Sequence, residues 1–444
     1  MSDARAIAYA VLRRVEEQDA FANLALDAEL SSAGVLDPRD AALATELAYG
    51  VLRRRVALDR ALSPLVKGGL AGLEDRVRDL LRLGAYQLLY TRIPPHAAVG
   101  ETVNTARRVG LARAAGLINA VLRRLGREGA PALPDPASDP LGALEVQGSL
   151  PRWLAERLLS RLGIEEALAF AAAIDQPAPP TLRVNRKRTT RETLEARLAT
   201  EAAGARISRT PLAEDGLLVE GGGSLARLPA FAEGLFSQQD EAAQLVGELC
   251  GPAAGARVLD ACAAPGGKSC HLAERGAGEV ISVDVHERKA RRIGDEARRL
   301  GLDGIVRPLG ADASKPLPAA AKGPFDLVLV DAPCSALGTL RRHPELRYRR
   351  TPEDVARMVE TQALILDNVA TEVRPGGILV YAVCSILPEE GPDQVRAFLE
   401  RQGGAFVKAP LEPAPGWSEG GWILDAWPQR QGIDGFYAAR LRRT

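Results

Sequence analysis

The sequence predicts an α/β protein: a doubly wound, mostly parallel sheet in its C-terminal half, preceded by an all-helical bundle and a small α+β insert. Three observations carry this. From Arg257 onward, strand-like runs such as Val280–Val285 and Leu327–Asp331 alternate with helical segments and are almost continuously apolar, as strands covered on both faces are. Up to about residue 130, apolar residues recur instead at spacings of three and four. Between them, residues 177–233 hold short strands around one helix.

In chain order, the helical part occupies residues 1–130. The rows Ala6-Ile7-Ala10-Val11-Val15 and Val77-Leu80-Leu81-Leu83-Leu88 each put one apolar stripe on a helix. Asp37-Pro38 supplies a cap and a first-turn proline, and Ile93-Pro94-Pro95 separates two later helices. Arginines cluster here as Arg53-Arg54-Arg55, Arg107-Arg108 and Arg123-Arg124, a pattern that serves RNA phosphates or simply a solvated helix face. Residues 131–176 read as a proline-rich linker followed by an amphipathic helix from Trp153 to Ala173. In the insert, Thr181–Asn185 reads as a strand and Thr190–Ala203 as a helix. Arg183 and Asn185, followed by Arg186-Lys187-Arg188, form a basic strand end that we expect to contact an RNA backbone. Residues 234–444 form the large sheet, with Trp422–Leu424 and Gly435–Leu441 closing it as an antiparallel hairpin.

Composition narrows the class. At 444 residues the chain exceeds one ordinary core. Basic and acidic residues each number 57, so a nucleic-acid partner has to be met by local patches, not by net charge. No run approaches the roughly 18 apolar residues of a membrane span, and the early acids leave no secretory apolar region. The five cysteines are odd in number and lack metal-ligand spacing, which argues against a disulfide framework and against zinc. The expectation is a cytoplasmic monomer with no membrane and no metal.

The segment Val258-Leu259-Asp260-Ala261-Cys262-Ala263-Ala264-Pro265-Gly266-Gly267-Lys268-Ser269 reads as a strand entering a glycine turn at a helix start. Asp284 follows at the distance, about 20 residues, from which a carboxylate grips a ribose diol. Asp260, Asp284, Asp312 and Asp331 all fall at strand ends, and acceptors there suit a diol, an adenine amino group and a cationic centre. That set favours S-adenosylmethionine over a dinucleotide, because the turn lacks the Gly-x-Gly-x-x-Gly pattern. Lys268 keeps a phosphate ligand open as the lesser reading. Cys334 and Cys384 also end strands. A thiolate there would add to C6 of cytosine and make C5 able to accept a methyl, with Asp331 placed to bond N3 as electrons flow to it. Spacing alone does not choose between the two cysteines.

Together, Asp260–Ser269, Asp331-Ala332-Pro333-Cys334-Ser335 and Val383-Cys384-Ser385-Ile386-Leu387-Pro388-Glu389-Glu390 resemble the RNA 5-methylcytosine methyltransferases. Phe236–Ala243 is similar to the segment that precedes the first motif in that family, and the helical part looks like a NusB-type domain. With it, the resemblance narrows to the RsmB (Sun/Fmu) branch acting on 16S ribosomal RNA, whose target is cytosine 967. The resemblance implies a Rossmann-like methyltransferase sheet and S-adenosyl-L-methionine held by Cys262, Ala263, Ala264, Pro265, Gly266, Gly267 and Lys268 with Asp284, Asp312 and Asp331. It implies Cys384 as nucleophile and Cys334 as the thiol that assists release of the methylated RNA.

The chain departs from the family at two places. Val383 stands where Thr is common, and Ala336-Leu337-Gly338 replaces Gly-Thr-Gly, which stiffens a loop near the substrate. The following stretch, Arg341 to Arg350, holds five arginines against one acid. Arg341, Arg342 and His343 are therefore expected RNA contacts. The rival readings are a non-catalytic RNA-binding factor of ribosome assembly or antitermination, a methyltransferase for another RNA, and a DNA cytosine methyltransferase in which Cys334 attacks.

Overall fold

In the computed structural model, which describes residues 3–412 and 417–444, the apolar stripes of the N-terminal part pack as a helical bundle. Its helices run from Ala4–Glu17 through Pro38–Arg53, Asp75–Tyr90 and Pro95–Arg108 to Ala115–Glu128. Leu47, Leu80, Leu83, Ile118 and Leu122 are fully buried at its centre. The Asp37 carboxylate accepts the Arg39 N–H at 2.8 Å with Pro38 in the first turn, and the two prolines at 94 and 95 separate two helices. The bundle belongs to a compact unit that runs to Pro177 and also contains Leu340–Arg349.

Two expectations change in this unit. The stretch read as linker contains a helix, Pro140–Gln147, started by the Asp139 carboxylate on the Gly142 N–H at 2.9 Å, with Ala143 and Leu144 buried beneath it. Proline at a first helical turn starts a helix as readily as it ends one. The second change concerns the arginine-rich stretch after Thr339, which is not an open loop. Arg347 is fully buried and donates to the carbonyls of Arg53 at 3.1 Å, Gly148 at 2.5 Å and Ile174 at 2.9 Å. Desolvation lowers this guanidinium to about 10. Glu345, also buried, accepts the Ala22 N–H at 3.1 Å, and Arg349 donates to the carbonyls of Val15, Asp19 and Ala20. Arg347 and Arg349 thus satisfy carbonyls at helix ends and in the loop after Glu17, Glu345 satisfies an N–H at a helix start, and the three side chains are taken up inside the unit. Arg341, Arg342 and His343 keep partial exposure, His343 edge-on to Phe21 at 5.4 Å.

The second unit comprises Ala178–Thr339 and Arg350–Thr444. Its smaller sheet is antiparallel: β1 (Thr181–Val184), β2 (Arg206–Arg209), β3 (Gly216–Glu220) and β4 (Phe236–Gln238) lie in the order β2-β3-β1-β4. β4 pairs with β1, so the insert reaches past residue 233. The larger sheet contains β5 (Arg257–Asp260), β6 (Glu279–Asp284), β7 (Val306–Gly310), β8 (Phe325–Asp331) and β9 (Val373–Val383), joined in parallel in the order β9-β8-β5-β6-β7. β10 (Phe406–Lys408), β11 (Trp417–Ser418), β12 (Ile423–Ala426) and β13 (Phe436–Arg443) extend it antiparallel, and β12 and β13 form the expected closing pair.

Alternate residues of each parallel strand feed two apolar layers. Val258, Val280, Leu327 and Val380 meet the helices Glu241–Cys250, Gly267–Glu274 and Glu287–Leu300 on one face. Leu259, Ile281, Val328 and Leu379 meet Pro352–Ala370 and Pro392–Arg401 on the other. The strand order reverses between β5 and β8, which opens the crevice at their carboxyl ends where such sheets bind ligands. Among the described residues, no helix is long and apolar enough to cross a membrane.

Candidate active site

Four elements converge on that crevice. β5 ends at Asp260, β6 at Asp284, β7 leads into Asp312, and β8 ends at Asp331. A cavity of about 550 Å³ opens there, lined by Cys262, Ala264, Asp284, Asp312, Asp331, Cys334 and Cys384 among others. The topology thus gathers acids and thiols from across 123 residues of chain, 262 to 384 inclusive.

The floor of the cavity is the turn after β5. Gly266 sits at φ 108°, a region side chains avoid, and a Cβ there would lie 3.1 Å from the Cα of Ile293. Glycine lets the turn lie against the helix Glu287–Leu300. The Ser269 hydroxyl donates to Asp260 Oδ2 at 2.7 Å and ties the turn back to its strand. On the rim, Asp284 accepts the His286 N–H at 2.8 Å, and Asp312 accepts the Ser314 N–H and hydroxyl at 3.0 and 2.6 Å. The Ser314 hydroxyl, with its N–H and Lys315, holds the Asp312 carboxyl below the usual range.

Asp260 is buried without ion pairing, and desolvation lifts its carboxyl from the ordinary 3.8 to about 7. A carboxyl with a raised folded-state value holds its proton more tightly folded than unfolded. Its contribution to stability therefore falls as pH rises from about 4 to about 7. Asp260→Asn cannot ionise. We expect the unfolding free energy of the variant, measured in urea, to gain about 3 kcal/mol relative to wild type between pH 5 and pH 8. Parallel pH profiles would show that the wild-type carboxyl ionises without penalty.

Asp331 faces Lys268, whose Nζ lies 2.7 Å from Asp331 Oδ2 and 5.1 Å from the centroid of Phe436. Burial would discharge this lysine, but the charge and hydrogen bond of Asp331 raise it, so the ammonium is kept inside the site. Beside this pair, Cys334 Sγ and Cys384 Sγ are 3.3 Å apart. Hydrogen bonding to Cys384, together with desolvation, holds the Cys334 thiol well above its usual range. The loop after Cys334 carries Ala336 at φ 58°, at the position where the resemblance expects glycine, a left-handed conformation that costs a side chain about 1 kcal/mol. Cys250 and Cys270 are packed in the apolar layer and stay outside the cavity.

Two residues expected to touch RNA are internal. Arg183 is fully buried: its guanidinium holds both carboxylate oxygens of Glu274 at 2.8 and 2.9 Å and the Gly267 carbonyl at 2.8 Å. Asn185, also fully buried, donates to the carbonyls of Gly234 and Leu300 at 2.9 and 3.0 Å. Both are removed from RNA contact. Arg183 instead clasps the helix that carries Lys268, gripping one residue in its first turn and one in its last.

Sequence reading also passed over Glu390. It is buried beneath both cysteine loops, where its carboxylate accepts hydrogen bonds from Ser335, Ser385 and Gln362. The available signal was the pair of acids Glu389-Glu390 that follows Ile386-Leu387-Pro388 shortly after the Cys384 thiol.

Residues 249–442 match the family model described as 16S rRNA methyltransferase RsmB/F, residues 2–127 match the NusB family, and residues 150–226 match the ferredoxin-like domain of RsmF/B-like methyltransferases. The chain is 39% identical to ribosomal RNA small subunit methyltransferase B of Pseudomonas putida over 422 residues, covering 94% of this chain and 93% of that one. With the protein of the same name from Vibrio cholerae it is 39% identical over 407 residues, 91% and 90% of the two chains. Among solved structures, that of PH0851 superposes with a TM-score of 0.84 at 27% identity, covering 100% and 99% of the two chains. That of NSun6 from Pyrococcus horikoshii with SFG, 21% identical, shares the fold with a TM-score of 0.59 over 66% of this chain and 98% of its own.

Proposed function

The chain belongs to the 16S rRNA methyltransferase RsmB/F family, and from that premise we propose that it methylates C5 of a cytosine in 16S ribosomal RNA through a covalent thiol adduct. At the coarser level it is an S-adenosylmethionine-dependent ribosomal RNA methyltransferase. The observation that carries the finer reading is the pair of thiols 3.3 Å apart beside Asp331 on the wall of the cavity.

The residues fit the cofactor. Asp284 and Asp312 line the cavity and offer acceptors for hydroxyl and amino groups, and Ala261, Cys262 and Ala264 of the turn after β5 line it with small side chains. When bound, S-adenosylmethionine supplies an electrophilic methyl group on a sulfonium centre. The rest is work for the protein's own side chains. Cytosine presents a donor at its exocyclic amine and acceptors at N3 and O2, and the Asp331–Lys268 pair offers the complementary acceptor and donor. With the base unstacked into the crevice, Cys384 as thiolate adds to C6, and the displaced electron pair moves toward N3, where the Asp331–Lys268 pair stabilises it. C5 becomes enamine-like and able to accept the methyl. The C5 proton then passes to a base, Cys334 or a water. The C6–sulfur bond breaks, and the ring double bond returns.

Arg341, Arg342 and His343, with the exposed Arg107-Arg108 and Arg123-Arg124 of the helical bundle, are the residues we assign to RNA phosphates, whereas Arg53 is buried. We propose cytosine 967 as the target, the nucleotide that the resemblance to the RsmB branch implies. A direct test uses 16S ribosomal RNA, methyl-tritiated cofactor and digestion to nucleosides. We expect label only in 5-methylcytidine, and a cytosine-967 substitution in the RNA removes it. Label on another nucleoside overturns the C5 assignment, whereas no transfer and no cofactor binding would return the chain to the non-catalytic reading.

A further inference from the structure

Each of the two thiols is followed in sequence by a serine, and both serines turn inward to one carboxylate. Ser335 donates its N–H to Glu390 Oε1 at 2.7 Å and its hydroxyl to Glu390 Oε2 at 2.5 Å. Ser385 donates its hydroxyl to the same Oε2 at 2.5 Å. Gln362, from the helix Pro352–Ala370, donates to Oε1 at 3.2 Å and to the Pro333 carbonyl at 3.0 Å. Glu390 and Ser335 are fully buried, so solvent does not compete for these bonds.

Four donors on one buried carboxylate satisfy its acceptor capacity, an arrangement only a carboxylate supports fully. The chemistry needs two thiols at a set separation, and they lie 50 residues apart in the loops that follow the neighbouring strands β8 and β9. The β8–β9 ladder stops at Asp331 and Ala382; beyond it the Gly338 N–H donates to the Cys384 carbonyl at 3.0 Å, and the hydroxyls of Ser335 and Ser385 lie 3.2 Å apart within the two loops. The carboxylate links them: one oxygen is shared by the two hydroxyls, and the other grips the Cys334 loop and the helix behind it. Tyr381 closes the cluster from β9 by donating its hydroxyl to the Glu390 carbonyl at 2.6 Å, with Gln362 Oε1 3.1 Å from the same hydroxyl.

From this cluster we propose that Glu390 is the positioning residue of the catalytic thiol pair, setting the Cys334–Cys384 separation through Ser335 and Ser385. The proposal rests on the assignment of both thiols to the reaction. It requires nothing of Glu390 at the substrate, which it does not face. The negative charge is one of several influences that keep the Cys334 proton in place.

The substitutions separate linkage from charge. In Glu390→Gln the remaining carbonyl oxygen can serve the two N–H donors, and the amide can donate to serine hydroxyls, which rotate to accept. In Glu390→Ala every link through the carboxylate is lost, while the Gly338–Cys384 backbone bond and the contact between the two serine hydroxyls remain. Ser385→Ala cuts the carboxylate's tie to the Cys384 loop and leaves the carboxylate with its other three donors, so it is the milder variant and keeps the test readable if Glu390→Ala does not fold. Purified full-length protein is treated with dibromobimane, which bridges and fluoresces only when two nearby thiols both react, and the Cys334–Cys384 bridge is verified by peptide mass spectrometry.

We expect Ser385→Ala and Glu390→Ala to bridge at least tenfold more slowly than wild type, and Glu390→Gln to recover the bridging rate. We expect kcat for methyl transfer in Ser385→Ala and Glu390→Ala to fall by about 10²-fold with the dissociation constant for S-adenosylmethionine within twofold. Wild-type bridging in Ser385→Ala, or Glu390→Gln bridging as slowly as alanine, overturns the proposal. The bridging readout does not depend on turnover, so it distinguishes failure of this inference from failure of the covalent mechanism.

Discussion

Replacing Cys384 with alanine is expected to lower methyl transfer by about 10⁴-fold or more, and replacing Cys334 with alanine is expected to trap the enzyme on its RNA. The asymmetry follows from the steps. Without the Cys384 thiolate, C6 is never attacked, C5 stays a poor nucleophile, and no adduct forms. Without Cys334, attack and methyl acceptance still proceed, but the thiol that we assign to release is missing, so the C6–sulfur bond persists.

The measurement is a denaturing gel of protein incubated with S-adenosylmethionine and 16S ribosomal RNA. A shifted, nuclease-sensitive band is expected for Cys334→Ala and none for Cys384→Ala. The reverse pattern would exchange the roles, as in the DNA-enzyme reading in which Cys334 attacks. Activity surviving in Cys384→Ala would end the covalent mechanism.

The second large effect is expected at Arg183. Its replacement by alanine leaves the Glu274 carboxylate buried without its partner and the Gly267 carbonyl without a donor. Breaking a buried pair from one side costs about 3–5 kcal/mol. Glu274 is already raised by desolvation, and Arg183 is what opposes that shift. In the variant the carboxyl rises further. A raised acid loses its stabilising contribution as pH climbs above its unfolded value, so the deficit of Arg183→Ala should be smaller at pH 5 than at pH 8.

Urea denaturation at both pH values measures this. Calorimetry should show weaker S-adenosylmethionine binding as well, because the clasped helix begins at the glycine turn. The double variant Arg183→Met with Glu274→Leu should recover most of the stability, since an apolar pair of similar volume carries no desolvation penalty. A deficit independent of pH would show that lost packing, not the stranded carboxyl, accounts for the effect.

What the chain declares by itself is whatever local chemistry decides. The helical bundle follows from apolar spacing, the cap at Asp37 from an Asp-Pro pair, and the alternating sheet from uninterrupted apolar strands. The strand-end positions of Asp260, Asp284, Asp331, Cys334 and Cys384 follow in turn, because a strand's end is marked by its own residues and the crevice lies wherever parallel strands end. The family resemblance rested on those same short motifs.

Tertiary structure decided the fate of the buried charges. Arg183 and Arg347 look, in sequence, like the arginines of a phosphate-binding edge. Whether an arginine meets solvent depends on partners that arrive from elsewhere: Glu274 lies 91 residues from Arg183, and the carbonyls that hold Arg347 come from positions 53, 148 and 174. No local pattern encodes that distance. The same holds for Glu390, whose donors at 335, 362 and 385 come together only when β8, β9 and the helix between them have packed. A buried ion or polar cluster is stable only when all its partners are in place, and that cooperative condition is a property of the fold.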